Sequence, residues 1–307
     1  MDNFREVKQI GEGTYGKVFK GFYKDNKLPM AIKIISIEQD SGIHFTAYRE
    51  IKILKSVNSN HIVKLEDVFI EEFYLFIVME FLEFDLSGLL HAGYRFSDEQ
   101  ILSLSYQLLS GTKALHDLNL IHRDIKASNI LMNKDGLLKL VDFGLTRSND
   151  IIMTNRICTL WYRAPELLLG VTSYDNKIDS WSVACVIVEM KTGITLFKGY
   201  EEVSQLKLIF DMFGVPKEKF PWLEMFDTKK FKKNKPWYEI IDKAFSKMFN
   251  SDMLELLEEM FKMSPRERIS VKNSLKLRVF HDFDSSIRIP INFKEIHDYD
   301  CKERKKA

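Results

Sequence analysis

The chain has 307 residues, of which 45% are hydrophobic and 29% charged, so it can bury a core and is neither disordered nor fibrous. This length exceeds that of a typical domain and favours one large domain or two lobes. Because 45 Lys and Arg balance 44 Asp and Glu, the net charge of +1 gives no global reason to expect a nucleic-acid, membrane or polyacidic partner.

Cysteine usage and the N-terminus indicate a reducing, intracellular setting. The three cysteines are odd in number and widely spaced, which suits neither a disulfide framework nor a zinc site. Residues 1–9 contain charged side chains and no apolar signal-peptide core. The longest apolar runs, at 73–79 and 183–188, are far shorter than the roughly 20 residues of a membrane span. We therefore expect no membrane partner.

The first part of the chain is predicted to form a small antiparallel sheet with one helix. Strand-like residues flank a glycine-rich segment at 11–16, and a third strand is predicted at 30–35 after a turn at Asp25 and Asn26. Over 45–57, apolar residues recur at the spacing of one helix face: Phe45, Tyr48, Ile51 and Leu54. Two further strands, at 62–69 and 73–81, complete the predicted sheet.

After residue 85 the pattern becomes helical. Ser97 and Gln100 form a capping-box signature that opens a helix predicted to end at 117. Further helices are predicted at 178–192, 203–212 and 253–263, and the basic runs at 229–235 and 302–306 are interpreted as solvated faces. These elements predict an α+β fold, with strands over about the first eighty residues and helices after residue 85. The pattern leaves open whether residues 282–307 form a docking tail or a solvated end.

Gly11, Gly13 and Gly16 have the Gly-x-Gly-x-x-Gly spacing, which is weak evidence by itself. In a dinucleotide-binding fold such glycines open a helix, whereas here strand-like residues follow, so a hairpin tip is predicted. A tip of this kind can lie over phosphates and offer them backbone N–H groups. Lys33 on the next strand could reach the same phosphates, and Glu50 on the helix is the candidate partner for its ammonium.

Three further motifs complete a recognisable set: His122-Arg-Asp-Ile-Lys-Ala-Ser-Asn129, Asp142-Phe-Gly144 and Ala164-Pro-Glu166. With the glycine segment and the strand lysine they form the protein-kinase signature, and the chain resembles a eukaryotic protein kinase from about residue 4 to residue 285. The resemblance implies a bilobal α+β fold. Its N-lobe, at 1–82, would be a small antiparallel sheet with one helix. Its C-lobe, at 83–285, would be larger and mainly helical, and a C-terminal tail would follow at 286–307.

The resemblance implies transfer of the ATP γ-phosphate to a protein hydroxyl, with ATP and Mg²⁺ as cofactors. Asp124 would orient the hydroxyl and accept its proton, while Lys126 would screen the γ-phosphate and mark Ser/Thr as the acceptor. Asn129 and Asp142 would hold Mg²⁺, because this hard cation favours oxygen ligands. The catalytic residues implied are Asp124, Lys126, Lys33 and Glu50.

Nucleotide binding is implied for a hinge at 79–82, whose backbone would receive adenine with Met79 behind it. Asp85 would reach the ribose. Two braces are also implied, namely Asp179 under the catalytic loop backbone and a pair between Glu166 and Arg268. The nucleotide-binding residues implied are Ile10, Gly11, Glu12, Gly13, Thr14, Tyr15, Gly16, Lys17, Val18, Ala31, Lys33, Met79, Glu80, Leu82, Asp85 and Leu131.

The finer resemblance is to cyclin-dependent kinases. Residues 10–16 are similar to their glycine loop, and Phe45-Thr-Ala-Tyr-Arg-Glu50 occupies the place of their cyclin-recognition helix. Residues 158–170 resemble their substrate platform, although Cys158 replaces a small aliphatic residue. The Thr-x-Tyr motif of MAP kinases is missing between 142 and 166. The partners implied are a cyclin-type regulatory subunit, protein substrates with Ser/Thr-Pro sites, and an activating kinase for Thr154.

Regulation by phosphorylation is implied as well. A phosphate on Thr154 would add roughly −1.5 to −2 charges and could gather nearby cations. Thr14 and Tyr15 stand where inhibitory kinases act on cell-cycle members. Cyclin binding would turn the helix so that Glu50 meets Lys33. The arginines that the phosphate would draw together are Arg49, Arg123 and Arg147.

The sequence leaves open both the branch of the cyclin-dependent kinase family and the functional class of the protein. The segments 41–54 and 122–131 look more like transcription-associated members, including kinases of the RNA polymerase II C-terminal repeat, whereas Thr14, Tyr15 and the compact length resemble cell-cycle members. The family implies a nuclear location, with the cytoplasm as a second one. A kinase of this group that acts without a cyclin and a pseudokinase scaffold are the alternatives. The platform at 161–166 disfavours a small-molecule kinase.

Overall fold

The structure is a computed structural model that describes residues 4–13, 16–23, 28–37, 42–148, 159–231 and 236–306. The predicted turn at 25–26, part of the basic run at 229–235, and the residues Thr14, Tyr15, Thr154 and Cys158 lie outside this range. The strands are β1 (Phe4–Gly13), β2 (Gly16–Tyr23), β3 (Pro29–Ser36), β4 (Leu65–Glu71), β5 (Tyr74–Glu80), β6 (Phe84–Asp85), β7 (Leu120–Ile121), β8 (Ile130–Met132), β9 (Leu138–Leu140) and β10 (Arg147–Ser148). The helices are α1 (Phe45–Ser56), α2 (Leu86–His91), α3 (Asp98–His116), α4 (Pro165–Leu168), α5 (Lys177–Thr192), α6 (Glu202–Phe213), α7 (Trp237–Phe245), α8 (Ser251–Met260), α9 (Val271–Ser274) and α10 (Asp298–Lys306).

The chain divides into two compact units. Unit 1 comprises Met1–Tyr94, Ala127–Thr146 and Arg288–Ala307, and unit 2 comprises Arg95–Lys126 and Arg147–Ile287. The predicted α+β class, with strands toward the N-terminus and helices toward the C-terminus, is confirmed. The boundaries predicted after residues 82 and 285 stay predictions. Within the described residues, no helix combines the length and apolarity that a membrane crossing needs.

Unit 1 contains a five-stranded antiparallel sheet in the order β1-β2-β3-β5-β4, as the sequence predicted. Side chains alternate between the two faces of a strand. In β3, Met30 and Ile32 therefore pack into an apolar cluster on one face, while Ala31 and Lys33 point to the other. Gly16 pairs with Gly13, and a Cβ on Gly16 would lie 2.2 Å from the Ile34 carbonyl oxygen, so only glycine fits at this turn of the hairpin.

Helix α1 buries only part of the face that the apolar spacing marks. Phe45 and Tyr48 are 63% and 57% exposed, whereas Leu54 is buried and Ile51 is half-buried. The other buried residues are Ala47, Glu50 and Ile53, so the buried face is rotated from the one that the spacing marks. The physical reason is that Glu50 turns inward, where an ionic partner compensates its charge.

The rest of unit 1 consists of a small sheet and the C-terminal residues. The sheet has the order β6-β8-β9, and it places residue 129 just before β8 and residue 142 just after β9. The residues from Arg288 onward return to this unit, where the Ile291 N–H donates to the Lys134 carbonyl and Ile296 bridges to Phe84. Helix α10, which the sequence analysis did not predict, ends the chain there.

The described residues of unit 2 form helices, turns and loops, apart from the short strand pair β7 and β10. Helix α3 begins with the predicted capping box, in which Ser97 and Gln100 exchange side-chain and backbone hydrogen bonds. Helices α5, α6 and α8 confirm the three later predictions, whereas α7 was missed. Trp181 on the buried helix α5 packs among three phenylalanines, with ring centroids 5.1–6.2 Å apart: Phe197, Phe213 and Phe261.

Candidate active site

Lys33 and Glu50 form a buried ion pair in unit 1. The distance from Lys33 Nζ to Glu50 Oε2 is 2.7 Å, and the side chains are 15% and 4% exposed. Strand β3 holds the lysine between β2 and β5, and the inner face of α1 holds the glutamate. Asp142 adds a second carboxylate 3.9 Å from the same ammonium. The structure therefore brings together three of the predicted site residues.

Burial and charge act in opposite directions on this pair. Burial lowers the pKa of Lys33, but attraction to Glu50 and Asp142 more than offsets that effect, and the pKa lies above its usual value. Burial raises the pKa of Glu50 against the opposing charge of Lys33, and Asp142 adds to the rise. The ammonium thus stays protonated, as contact with a phosphate requires.

Asn129 and Asp142 supply oxygen atoms suited to a hard cation in the same unit. Asn129 ends a 3₁₀ turn, and its carbonyl accepts the N–H of Val141 at 3.1 Å, which ties it to the residue before Asp142. The Asp142 carboxylate is 46% exposed, and its backbone has a φ of 64°, an unusual conformation that often accompanies function. Mg²⁺ usually takes one or two protein oxygens together with phosphates and water, so this donor set fits it.

Most of the predicted adenine-binding residues lie on adjacent strands of the five-stranded sheet. Ala31 pairs with Met79 between β3 and β5, and Val18 pairs with Gly11 between β2 and β1. Leu131 lies on β8 of the small sheet, and Leu82 follows β5. The apolar members are all at least partly buried: Ile10, Ala31, Met79 and Leu82 are buried, and Val18 and Leu131 are half-buried. Glu12 and Lys17 pair across the hairpin and are exposed, and the role of these residues in nucleotide binding stays a prediction.

Both carboxylate oxygens of Asp85 accept hydrogen bonds from backbone N–H groups of unit 1. One oxygen accepts the N–H of Gly88 at 2.6 Å, which caps α2, and the other accepts the N–H of Asp298 at 2.7 Å. The side chain is buried, and His297 Nδ1 lies 3.5 Å away. An ionised carboxylate has about four acceptor positions, so these two hydrogen bonds do not exhaust it, and the predicted ribose contact stays a prediction.

Asp124 is the focus of the predicted catalytic loop in unit 2. Its Oδ2 lies 2.7 Å from Lys126 Nζ, and its Oδ1 accepts hydrogen bonds of 3.0 Å from both the N–H and the hydroxyl of Thr159. Asp124 and Lys126 are therefore adjacent, as the motif predicted. Thr159 was not predicted as a partner, because sequence spacing cannot relate residues 35 positions apart.

Asp179 braces the catalytic loop through its backbone, as predicted. The two carboxylate oxygens accept the N–H groups of His122 and Arg123 at 2.9 and 3.0 Å, and His116 Nε2 lies 2.9 Å away. Burial raises the pKa of Asp179, but the bonds and charge of the histidines and the backbone N–H of Arg123 outweigh that effect, and the pKa is lowered. Arg123 has a φ of 68°, so these bonds hold a strained residue in place.

The arginines predicted to regulate the site have partners of their own. Arg49 donates to the Gly144 carbonyl and lies 4.8 Å from the centre of the Phe45 ring, all within unit 1. In unit 2, Arg123 Nη1 donates to the Tyr174 hydroxyl at 3.0 Å. Burial and repulsion from Arg123 lower the pKa of Arg147. The predicted assembly of these arginines around Thr154 stays a prediction.

The second predicted brace, Glu166 with Arg268, is present in unit 2. The guanidinium and the carboxylate make two hydrogen bonds of 2.7 and 2.8 Å, and both side chains are fully buried. The guanidinium also lies 5.1 Å from the Trp181 ring. This pair connects the end of the Ala164-Pro-Glu166 motif to the core.

Comparison with known proteins identifies the family. Residues 4–280 match the family model of the protein kinase domain, so the chain belongs to the protein kinase family. It is 42% identical to a probable cell division protein kinase of Encephalitozoon cuniculi, over 100% of this chain and 99% of that protein. These matches confirm that the chain is a protein kinase, an ATP-dependent transferase.

Further matches narrow the class to cyclin-dependent kinases. The chain is 35% identical to the CTD kinase subunit alpha of Schizosaccharomyces pombe, over 98% of this chain and 53% of that protein. It is 36% identical to cyclin-dependent kinase C-2 of Oryza sativa, over 91% and 59%. The chain thus spans little more than half of these two relatives.

A solved structure agrees with this class. The crystal structure of the yeast RNA Pol II CTD kinase CTDK-1 complex contains a chain that matches with a TM-score of 0.85 and 30% identity, over 95% of this chain and 97% of that one. The predicted kinase fold and the resemblance to cyclin-dependent serine/threonine kinases are confirmed.

Proposed function

We propose that this kinase transfers the γ-phosphate of ATP to Ser or Thr, before Pro, in the RNA polymerase II C-terminal repeat, as the catalytic subunit of a cyclin-containing complex. The observation that carries the proposal is the closed ion pair of Lys33 and Glu50 with Asp142 3.9 Å from the same ammonium. This arrangement joins the phosphate-binding cation to a metal-binding carboxylate, which is what phosphoryl transfer requires.

Within unit 1, the proposed roles follow from charge and exposure. Lys33 would bind the α- and β-phosphates, while the backbone of residues 79–82 would bind adenine. Asn129 and Asp142 would hold Mg²⁺, which neutralises phosphate charge when it is bound. The glycine-rich hairpin would supply N–H groups to the phosphates, because Gly16 permits the close approach of two strands.

Within unit 2, Asp124 would receive the substrate hydroxyl. Thr159 fixes one oxygen of its carboxylate and Lys126 the other, so the side chain is oriented before the substrate arrives. In the reaction the hydroxyl oxygen bonds to the γ-phosphorus, the bond to the β-γ bridging oxygen breaks, ADP leaves, and Asp124 takes the hydroxyl proton. Lys126 would stabilise charge on the transferred group.

A cyclin-type subunit is proposed to bind the exposed face of α1. Phe45 and Tyr48 on this face have ring centroids 6.4 Å apart and are largely exposed. The turn between β4 and β5 in the same unit exposes further apolar side chains, Ile70, Phe73 and Tyr74. Exposed aromatic groups of this kind mark protein-binding surfaces. An activating kinase would modify Thr154, and the complex would act in the nucleus.

A second candidate is a kinase of the same group that acts without a cyclin. The observation that favours it is again the ion pair, because a closed Lys33–Glu50 contact is the state in which such a kinase would work. The two candidates differ in whether a partner subunit raises the rate. The relatives named for CTD kinases favour the cyclin-containing complex.

The test is phosphate transfer from labelled ATP to a peptide of the polymerase repeat, measured with the chain alone and with its co-purified subunit from native cells. We expect transfer only with the subunit, and Asp124→Asn should abolish it. Asp117→Asn, which alters an exposed carboxylate of unit 2, is the matched control and should leave the rate unchanged. Equal transfer by the chain alone would support the second candidate, and no transfer in either form would refute both.

A further inference from the structure

A buried lysine behind the hinge has no part in the proposed reaction. Lys139 lies on β9 and is 9% exposed, and its Nζ lies 2.7 Å from Glu80 Oε1 at the end of β5. The same Nζ donates to the Ile62 carbonyl at 3.4 Å. Glu80 Oε1 also accepts the backbone N–H of Lys64 at 2.6 Å, and the Glu80 N–H donates to the Lys64 carbonyl at 3.1 Å.

These contacts join three segments of unit 1. The first is the hinge strand, and the second is the connecting segment, residues 57–64, which links α1 to β4. The third is β9, whose Leu140 is held by the connecting segment through the His61 carbonyl at 2.9 Å and the Val63 N–H at 3.1 Å. The His61 ring adds a contact of 3.1 Å to the Leu138 carbonyl. Lys139 provides the ionic contact from β9 to the hinge.

The energetics of burial indicate that this lysine has a positioning role. Removing an ammonium from water costs several kcal/mol, and an apolar side chain of similar length often stabilises a fold as well or better. What an apolar residue could not do is fix the Glu80 carboxylate, and with it the backbone of residue 80, relative to β9. We propose that Lys139 is a positioning residue for adenine binding, acting through Glu80 on the hinge backbone.

This inference rests on the proposed nucleotide site at residues 79–82, and it predicts a specific kinetic signature. Adenine is remote from the phosphorus that reacts, so the hinge binds it equally in the ground state and the transition state. Loss of such uniform binding raises KM and leaves kcat unchanged. A merely structural brace would instead lower stability and the active fraction, without a separate effect on KM.

The experiment compares Lys139→Met with Lys139→Arg and Lys134→Met in the active complex. Lys134 is an exposed lysine on the turn before β9, so it is the matched control. We expect Lys139→Met to raise the KM for ATP about 3- to 10-fold with kcat within about twofold. The Kd of adenosine should rise by the same factor. Arg keeps the charge, so Lys139→Arg should stay close to the wild type, as should the control.

Glu80→Gln provides a second, independent variant. If Lys139 acts through Glu80, the two substitutions together should raise the Kd of adenosine no more than either does alone. Thermal unfolding of each variant establishes that the protein measured is folded. An unchanged Kd in folded Lys139→Met, or additive effects in the double variant, would overturn the inference. A wild type that binds adenosine but transfers no phosphate would refute the proposed function, while the Kd values would still decide the role of Lys139.

Discussion

Two buried ion pairs, one in each unit, share their chemistry but differ in their surroundings. In unit 2, Arg268 and Glu166 are joined by two parallel hydrogen bonds, and neither side chain is more than 1% exposed. In unit 1, Lys33 makes one hydrogen bond to Glu50 and remains 15% exposed. Backbone carbonyls accept the further donors of the guanidinium, namely those of Lys177, Lys262 and Met263.

The comparison distinguishes an ion pair that stabilises the fold, Arg268–Glu166, from an ion pair whose cation still has donors for a ligand, Lys33–Glu50. We refer to them as the stabilising pair and the binding pair. A guanidinium whose donors are all used by the protein has nothing left for a ligand, so the Arg268 pair serves the fold. An ammonium has three donors, and Glu50 takes one of them, so Lys33 can still bind a phosphate. The same contact between a cation and a carboxylate therefore has a different function according to how many donors the fold consumes.

The largest effect is expected when the stabilising pair is broken. Arg268→Met leaves Glu166 as an uncompensated buried charge, so the free energy of unfolding should fall by about 3–5 kcal/mol. Urea unfolding measures this, with the exposed neighbour change Arg266→Met as the control. Adding Glu166→Met should recover much of the loss. A fall under about 1 kcal/mol in the single variant would show that the pair is not a brace.

Breaking the binding pair should affect the reaction more than the fold. Lys33→Met should slow single-turnover phosphate transfer about 100-fold or more, since the cation that we propose to bind the phosphates is lost. The loss of stability should be smaller than for Arg268→Met, because burial favours the protonated form of Glu50. Comparable losses of stability in the two variants would contradict the distinction between the pairs.

The stability of Lys33→Met should also depend on pH. The pKa of Glu50 is already raised in the wild type, and loss of Lys33 removes the charge that lowers it, so the pKa in the folded variant lies higher still. Between these two folded-state pKa values only the variant keeps Glu50 protonated, so its stability deficit relative to the wild type should grow as pH rises through that range. Urea unfolding at two pH values tests this. A deficit that shrinks toward alkaline pH would show that Glu50 has another compensating partner.

An intermediate effect on stability is expected at Asp179. This buried carboxylate is compensated mainly by backbone N–H groups, whereas Glu166 and Glu50 are compensated by a Lys or Arg side chain. Asp179→Asn removes the charge, so the free energy of unfolding should fall by about 1–3 kcal/mol at neutral pH. Because the pKa of Asp179 is lowered on folding, its contribution is present above its usual pKa and is lost as pH falls through the folded value. The difference between variant and wild type should therefore shrink below about pH 4. Acid titration of both proteins would refute this if the difference were constant.

The smallest effect is expected for an exposed pair. Lys113 and Asp117 lie one turn apart at the end of α3 and are 35% and 45% exposed. Water screens such a pair, so Lys113→Met should change the free energy of unfolding by less than about 0.5 kcal/mol. Unfolding at low and high salt measures the change. A larger effect would show that solvent exposure does not determine how much each of these ion pairs contributes to the free energy of unfolding.

Local sequence patterns predicted most of the helices and strands, and the resemblance to kinase motifs predicted the candidate catalytic residues. The capping box at Ser97 and the strands around the glycines were visible because neighbouring residues determine them. The buried face of α1 shares Leu54 with the predicted face but is rotated from it, because apolar spacing carries no information about Glu50, whose burial depends on Lys33 on strand β3. The ionic braces followed from resemblance alone.

Contacts between distant residues could not be predicted where no motif resemblance covers them. Nothing in the sequence near Thr159 indicates that it fixes Asp124, or that Lys139 meets Glu80. In both cases the missing information is the three-dimensional approach of segments far apart in the chain. The basic run at 302–306 was interpreted as a solvated face, and Lys302 is indeed exposed, on helix α10.

The return of the last residues to unit 1 has a consequence for synthesis. Asp85 and Asp298, 213 positions apart, share a hydrogen bond, and Lys8 pairs with Asp300 across 292 positions. As the chain is synthesised from its N-terminus, the five-stranded sheet can form early, but these contacts must wait for residues 298 and 300. Unit 1 therefore begins to form before unit 2 is made and is completed only after it, so its folding depends on contacts of very high sequence separation.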